Sequence, residues 1–176
     1  MSAPNKQEII ETVAIESEFS DPVVVKLVEF VRSIGIPVHA ASIPDSPFFP
    51  GLKTEYGAVL VDETELLHPG NILHEAGHLA VTDPALRNEK DIFPTNGQEI
   101  AALAWSYAAT RYLGLPSDLV FYQGSYRGWD TALVENFAEG RYLGVPLLQL
   151  YKMSFEPGPA AARGVEPFPR MQRWLR

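Results

Sequence analysis

The chain has no cysteine among its 176 residues. That excludes disulfides and thiolate metal sites, and leaves histidine, aspartate and glutamate to hold a metal. Positive charge is short as well: 14 Lys and Arg stand against 22 Asp and Glu, a formal net charge of −8. With no basic stripe to neutralise phosphates, no nucleic-acid partner is expected. The one basic cluster, Arg163, Arg170, Arg173 and Arg176, is interrupted by prolines and reads first as a solvated tail and second as a partner contact. Long apolar runs are missing too. No stretch approaches a membrane span, and residues 1–20 carry acids where a signal peptide needs an apolar core, so the expectation is a cytoplasmic protein with no membrane partner.

What remains is the composition of an ordinary globular domain, 46% hydrophobic and 20% charged. We expect one domain over residues 1–176, with no internal repeat and no linker. Residues 5–18 read as a short amphipathic helix. "SDPVVVKLVEFVRSIG" is punctuated as a helix, with Ser20 or Asp21 as N-cap, Pro22 in the first turn and Gly35 past the end. "IPVHAA" reads as a short strand, "SIPDSPFFPG" as a loop and "TEYGAVLVD" as a single better strand. "HPGNILHEAGHLAV" has helical spacing, "TDPALRNEKDIFPTNG" is loop-like, and "QEIAALAWSYAATRYLG" is the clearest helix, ending at Gly114. "WDTALVENFAEGRYLG" predicts another helix, capped by Asp130 and stopped near Gly144, and the last twenty residues look irregular. Together these predict an α+β fold, helices packed on a small sheet, with "TEYGAVLVD" running beside a cleft.

Histidine is scarce, four residues in all, yet two of them stand four apart in "HEAGH". On a helix, positions four apart differ by about 40° around the axis, so His74 and His78 project from one face a turn apart. Both can reach one zinc ion. Glu75, offset by about 100°, leans over the same opening, where a glutamate can act as general base toward water. A chain of this composition carries the His-Glu-x-x-His pattern by chance about once in a hundred. The flanks are apolar, where unpaired histidines and a glutamate would be costly to bury. Ala76 and Gly77 look small enough to leave room beside a metal.

A catalytic zinc needs a third protein ligand and an open position for water. His39, on or just beyond a strand, reads as an ordinary polar residue, and His68 points off the ligand face. Asp83 has a plain local role in the turn "TDPA". The short pattern with a glycine and a third ligand six residues past the second histidine fails, since Val81 and Pro84 occupy those places. Glu99 is the best candidate, with Glu89 and Asp91 behind it. It opens the strongest helix, and Ala101, Ala102, Ala104, Ala108 and Ala109 predict close packing around it. The competing role is a cap: Asn96 to Glu99 is a capping-box spacing.

"HEAGH" at 74–78 and "EIAA" at 99–102 resemble the gluzincins, zinc peptidases in which a downstream glutamate completes the His-Glu-x-x-His site. The order of elements over residues 21–116 is similar to that of small intracellular metallopeptidases of the ImmA/IrrE type. The resemblance implies a zincin-like fold, one Zn2+ per chain on His74, His78 and Glu99, Glu75 as catalytic base, and a peptide or protein substrate. Two positions depart from the pattern: Gln98 and Leu103 stand where many gluzincins have asparagine and aspartate. A donor to the developing oxyanion is also expected. Tyr56, Tyr107, Tyr122, Tyr126 and His68 are open candidates, and "YQGSYRGW" reads as a flap or a surface loop. Residues 117–176 form a helical C-terminal part with no family pattern. The alternative reading is a zinc-bearing regulatory or interaction domain that cleaves nothing; an intact Glu75 argues against it.

Overall fold

The computed structural model describes residues 18–44, 49–122, 125 and 130–176, without the side chains of 130, 131, 133 and 134. The expected helix at 5–18 lies outside these residues but for its last. Among the described residues the chain is α+β, with six helices and a three-stranded mixed sheet.

Helix α1 spans Pro22–Ser33. Asp21 caps it, Oδ1 accepting from the Val23 amide at 2.7 Å, and Pro22 supplies a first-turn residue that has no amide to satisfy. Its apolar stripe, Val24, Leu27, Val28 and Val31, is buried. Strand β1 (Val38–Ala40) follows, then β2 (Leu52–Glu55) and β3 (Ala58–Val61). The single strand expected over "TEYGAVLVD" is therefore a hairpin. Tyr56 and Gly57 both have positive φ, 50° and 76°, which makes the two-residue loop a tight turn whose twist matches the strands it joins. The signal was a Tyr-Gly pair, weaker than the usual Asn-Gly. β3 is central, antiparallel to β2 and parallel to β1, with Val59 opposite both Thr54 and Val38. Both edges of β3 are therefore already paired. Arg32 donates to the Val38 carbonyl and so covers the outer edge of β1. The exposed edge is β2, where the ladder leaves the Thr54 amide and carbonyl turned outward.

Helix α2 (Asn71–Val81) packs across β2 and β3 on one side and along α3 (Asn96–Leu113) on the other. The α2–α3 seam is close-packed. A Cβ on Gly77 would lie 3.0 Å from the Ala102 carbonyl and 3.3 Å from the Trp105 ring. Gly77 thus faces α3 and lets the two backbones approach; it does not make room beside a metal. The five alanines of α3 are fully buried, as close packing requires.

A 3-10 turn at Ser117–Leu119 leads to α4 (Asp130–Ala138), α5 (Val145–Leu150) and α6 (Pro157–Arg163). Helix α4 ends before Gly140, several residues short of the stop expected at Gly144, which instead precedes α5. The last twenty residues open with α6 and are otherwise irregular, and Arg163, Arg170 and Arg173 are exposed as expected, with Arg176 half-buried. Trp174 packs edge-on against Phe30 and Trp105, and its carbonyl accepts from Trp105 Nε1 at 2.9 Å. The Arg176 amide donates to Ala80 O at 3.0 Å at the end of α2, and its guanidinium pairs with Asp83. The arginines face solvent while the apolar Trp174 and Leu175 between them anchor the segment to the core. No helix among the described residues is long and apolar enough to cross a membrane.

Candidate metal centre

Helix α2 brings His74 and His78 together as its period dictates. Their Nε2 atoms lie 2.9 Å apart and both residues are buried. The rings stand at 80° to each other, so the two lone-pair directions converge instead of stacking. Phe49 meets the His74 ring edge-on at 5.7 Å and covers its flank.

Glu99 faces both. Its Oε1 lies 3.2 Å from His74 Nε2 and its Oε2 lies 3.2 Å from His78 Nε2. The capping role falls elsewhere: Thr95 is the N-cap, its hydroxyl accepts from the Gln98 amide, and the Gln98 side chain accepts from the Thr95 amide. The box is shifted one residue from the Asn96–Glu99 spacing, and Asn96 is the first residue of the helix proper. Glu99, next in line, points at the histidines of α2 across the close seam. Its side chain keeps 41% of its exposure, so one side of the cluster opens to solvent.

Glu75 completes a tight group. One donor atom from each of His74, Glu75 and His78 lies within 4.8 Å of the others. Two three-residue sets thus share the histidines, and distance separates them: Glu99 sits directly on both Nε2 atoms, whereas Glu75 stands beside them. The two Nε2 atoms are 2.9 Å apart, and each has its own Glu99 oxygen at 3.2 Å. Zinc bonds of about 2.0–2.2 Å in tetrahedral array place ligand atoms about 3.3–3.5 Å apart, so the side chains match such an ion to within a few tenths of an ångström.

Burial and the neighbouring charges set the electrostatics of the cluster. Burial holds the His78 imidazole down at about 4, with His74 adding to the drop and Glu99 opposing it. His78 is therefore neutral at pH 7, the form that ligates metal. Burial pushes the Glu75 carboxyl up; His74 pulls against this and the Glu99 charge reinforces it. For Glu99, burial also works upward, but the hydrogen bond from His74 and the nearby imidazoles outweigh it and hold the carboxyl below its ordinary range. His78 Nδ1 is buried with no hydrogen-bond partner among the described residues. The usual second partner that orients a ligating imidazole is thus not supplied there.

The remaining candidates separate cleanly. His39 is exposed on β1, and Asp83 receives the Ala85 amide in its turn while pairing with Arg176. Tyr107 packs in an aromatic cluster with Phe121, Phe137, Tyr142 and Phe168. Tyr56 forms the hairpin turn, and Tyr126 lies outside the described residues, as does most of "YQGSYRGW". Tyr122 is different. Its hydroxyl hydrogen-bonds Asn71 at 3.1 Å, and its ring stacks on His68 at 3.7 Å. Asn71 is buried and lies on the helix within about 40° of Glu75 and about 20° of His78, one turn or more toward the N-terminus. Asn71 was missed by the sequence reading; its signal was a polar residue on the same stripe as the motif.

No family profile matches this chain, and neither does any curated protein or solved structure.

Proposed function

We propose that the protein is a zinc-dependent hydrolase, a metallopeptidase with a zincin-like centre. The observation that carries this reading is the convergence of Glu99 from a second helix onto two histidine nitrogens already 2.9 Å apart. Three acceptor groups aimed at one point repel or share protons unless a cation joins them. A zinc ion held by His74, His78 and Glu99 would supply Lewis acidity, activating water and polarising a carbonyl.

The chain's own residues then divide the work. Glu75 stands beside the cluster, takes a proton from the attacking water, and passes it to the leaving nitrogen as the peptide bond breaks. Burial raises its carboxyl, which favours the protonated form that hands the proton on. Tyr122, held by Asn71 along the same stripe, presents a hydroxyl donor for the oxyanion. An extended substrate pairs with the outer edge of β2, the strand against which α2 packs.

The test is metal analysis joined to a peptide-library assay on metal-loaded protein. One equivalent of zinc per chain, with cleavage lost on chelation and restored by zinc, is the expected result. Absence of metal uptake removes the hydrolase reading, and full uptake without cleavage of any peptide favours the regulatory zinc domain instead.

A further inference from the structure

Charge is divided unevenly along this chain. Residues 141–176 hold six Lys and Arg and two Glu, a local charge of +4 within a chain of −8. Most of these cations are engaged: Arg141 with Glu139, Arg170 with Glu166, Arg176 with Asp83, and Arg173 on the Tyr151 carbonyl. Lys152 and Arg163 form no ion pair among the described residues. Both line the same open surface cavity of about 400 Å³, between α5 and α6, with Phe155 buried at its base and the exposed Pro146 and Leu150 at its rim.

Contacts position the Arg163 side chain, and the backbone at Lys152 is in an unusual conformation. The Arg163 guanidinium lies 4.5 Å over the Phe155 ring and donates to Pro159 O, which fixes it above an apolar surface. Lys152 follows α5 with φ of 58°, the left-handed conformation in which helices ordinarily end on glycine. The Met153 amide closes that turn on Leu148 O at 2.8 Å, so the geometry is that of a standard helix stop with a lysine in the glycine position. A residue that strains the backbone where glycine would relieve it is a pointer to a role for its side chain.

We propose that this cavity binds a carboxylate carried on an apolar group. The apolar base and rim take the body of the ligand, and Lys152 and Arg163 take its charge from two sides. The size suits one short ligand or one terminal residue. Two sources share this chemistry: the C-terminus of a peptide ending in an apolar residue, and a free aliphatic or aromatic acid. The inference does not rest on the metal centre or its activity.

Calorimetric titration of the full chain tests it with three probes: an acetylated tetrapeptide ending in leucine, its C-terminal amide, and heptanoate, with acetate as the control for bare charge. The acid peptide or heptanoate should bind about tenfold or more tighter than the amide and than acetate, whichever source is correct. Preference for the peptide identifies a chain terminus; preference for heptanoate identifies a free acid. Lys152→Gly gives the sharper reading, because it removes charge and strain together. It should raise the melting midpoint by about 2–4 °C while weakening binding, with metal content unchanged. Arg163→Gln should weaken binding by a similar factor. Equal binding of acid, amide and acetate overturns the proposal, as does unchanged affinity in both variants, which would place any bound carboxylate at the metal centre.

Discussion

Thr95 and Gln98 close a reciprocal capping box at the start of α3, and this releases the next residue, Glu99, from any role in the helix end. A glutamate in the first turn would ordinarily face solvent and interact with the helix dipole. Here it spans the seam to α2 and sets one carboxylate oxygen against each histidine.

The first prediction separates those roles. Glu99→Ala should lower zinc affinity by at least about a hundredfold, more than the loss of an outer partner usually costs. Gln98→Ala should cost about 1 kcal/mol of stability through the cap and leave metal binding in place. Competition with a chromophoric chelator reads the first and chemical denaturation the second. Equal, small effects on metal affinity would return Glu99 to the status of a first-turn acid.

Acid sensitivity follows from His78. Its folded value of about 4 lies below the unfolded value of about 6.5, so the unfolded chain takes up the proton first. The contribution of the neutral imidazole is present in full above about pH 6.5 and is lost as pH falls toward 4, a change of about 2–3 kcal/mol in the metal-free protein. Glu75, whose carboxyl is raised, acts in the opposite sense. The measurement is therefore a difference: denaturation midpoints from pH 7 to 4.5 for the native protein and His78→Gln, both stripped of metal. Parallel curves would show that His78 is not the group responsible.

The oxyanion donor has one described candidate in line with the motif. Tyr122→Phe keeps the ring that stacks on His68 and removes the hydroxyl bonded to Asn71. On the proposed reading, kcat drops by about a hundredfold with zinc content intact. A change confined to stability would leave Tyr122 as a structural partner of Asn71.

The difference between what the residues announced and what they hid has a physical pattern. Helical period and strong punctuation made α1, α2 and α3 readable, because Asp21, Gly114 and the apolar stripes act locally. The pairing of Glu99 with the histidines was an inference from alanine-rich packing, and the seam at Gly77 and Ala102 is what realises it. The hairpin was hidden because Tyr56 is an uncommon choice for a left-handed turn residue. The tail was hidden because its fixing contacts are to Trp105, Phe30 and Ala80, all distant in sequence, and composition carries no sign of such partners.

That tail gives a stability prediction. Trp174 fills the space between α1 and α3, so Trp174→Ala should destabilise the fold by about 3 kcal/mol, near the lower end for large aromatic truncations because the ring is only partly buried. The backbone carbonyl that accepts from Trp105 survives the substitution. A loss under about 0.5 kcal/mol, measured by urea denaturation, would mean that the segment lies on the surface without holding it.

The last prediction decides between an enzyme and a zinc-holding module, and it turns on Glu75. Glu75→Gln keeps the shape of the side chain and removes its charge and its capacity to accept a proton. Since burial raises this carboxyl, ionising it costs the folded state free energy, and the metal-free variant should be as stable as the native protein or more so at pH 7. Zinc should remain, because Glu99 supplies the third contact to the histidines. Hydrolysis should fall by at least about a hundredfold, the contribution of a positioned acid–base group. Measured on one preparation, these outcomes pull in different directions, so general damage to the fold cannot mimic them. Loss of zinc in Glu75→Gln would make Glu75 a ligand, in place of Glu99. Undiminished cleavage with zinc retained would move the proton transfer to another residue.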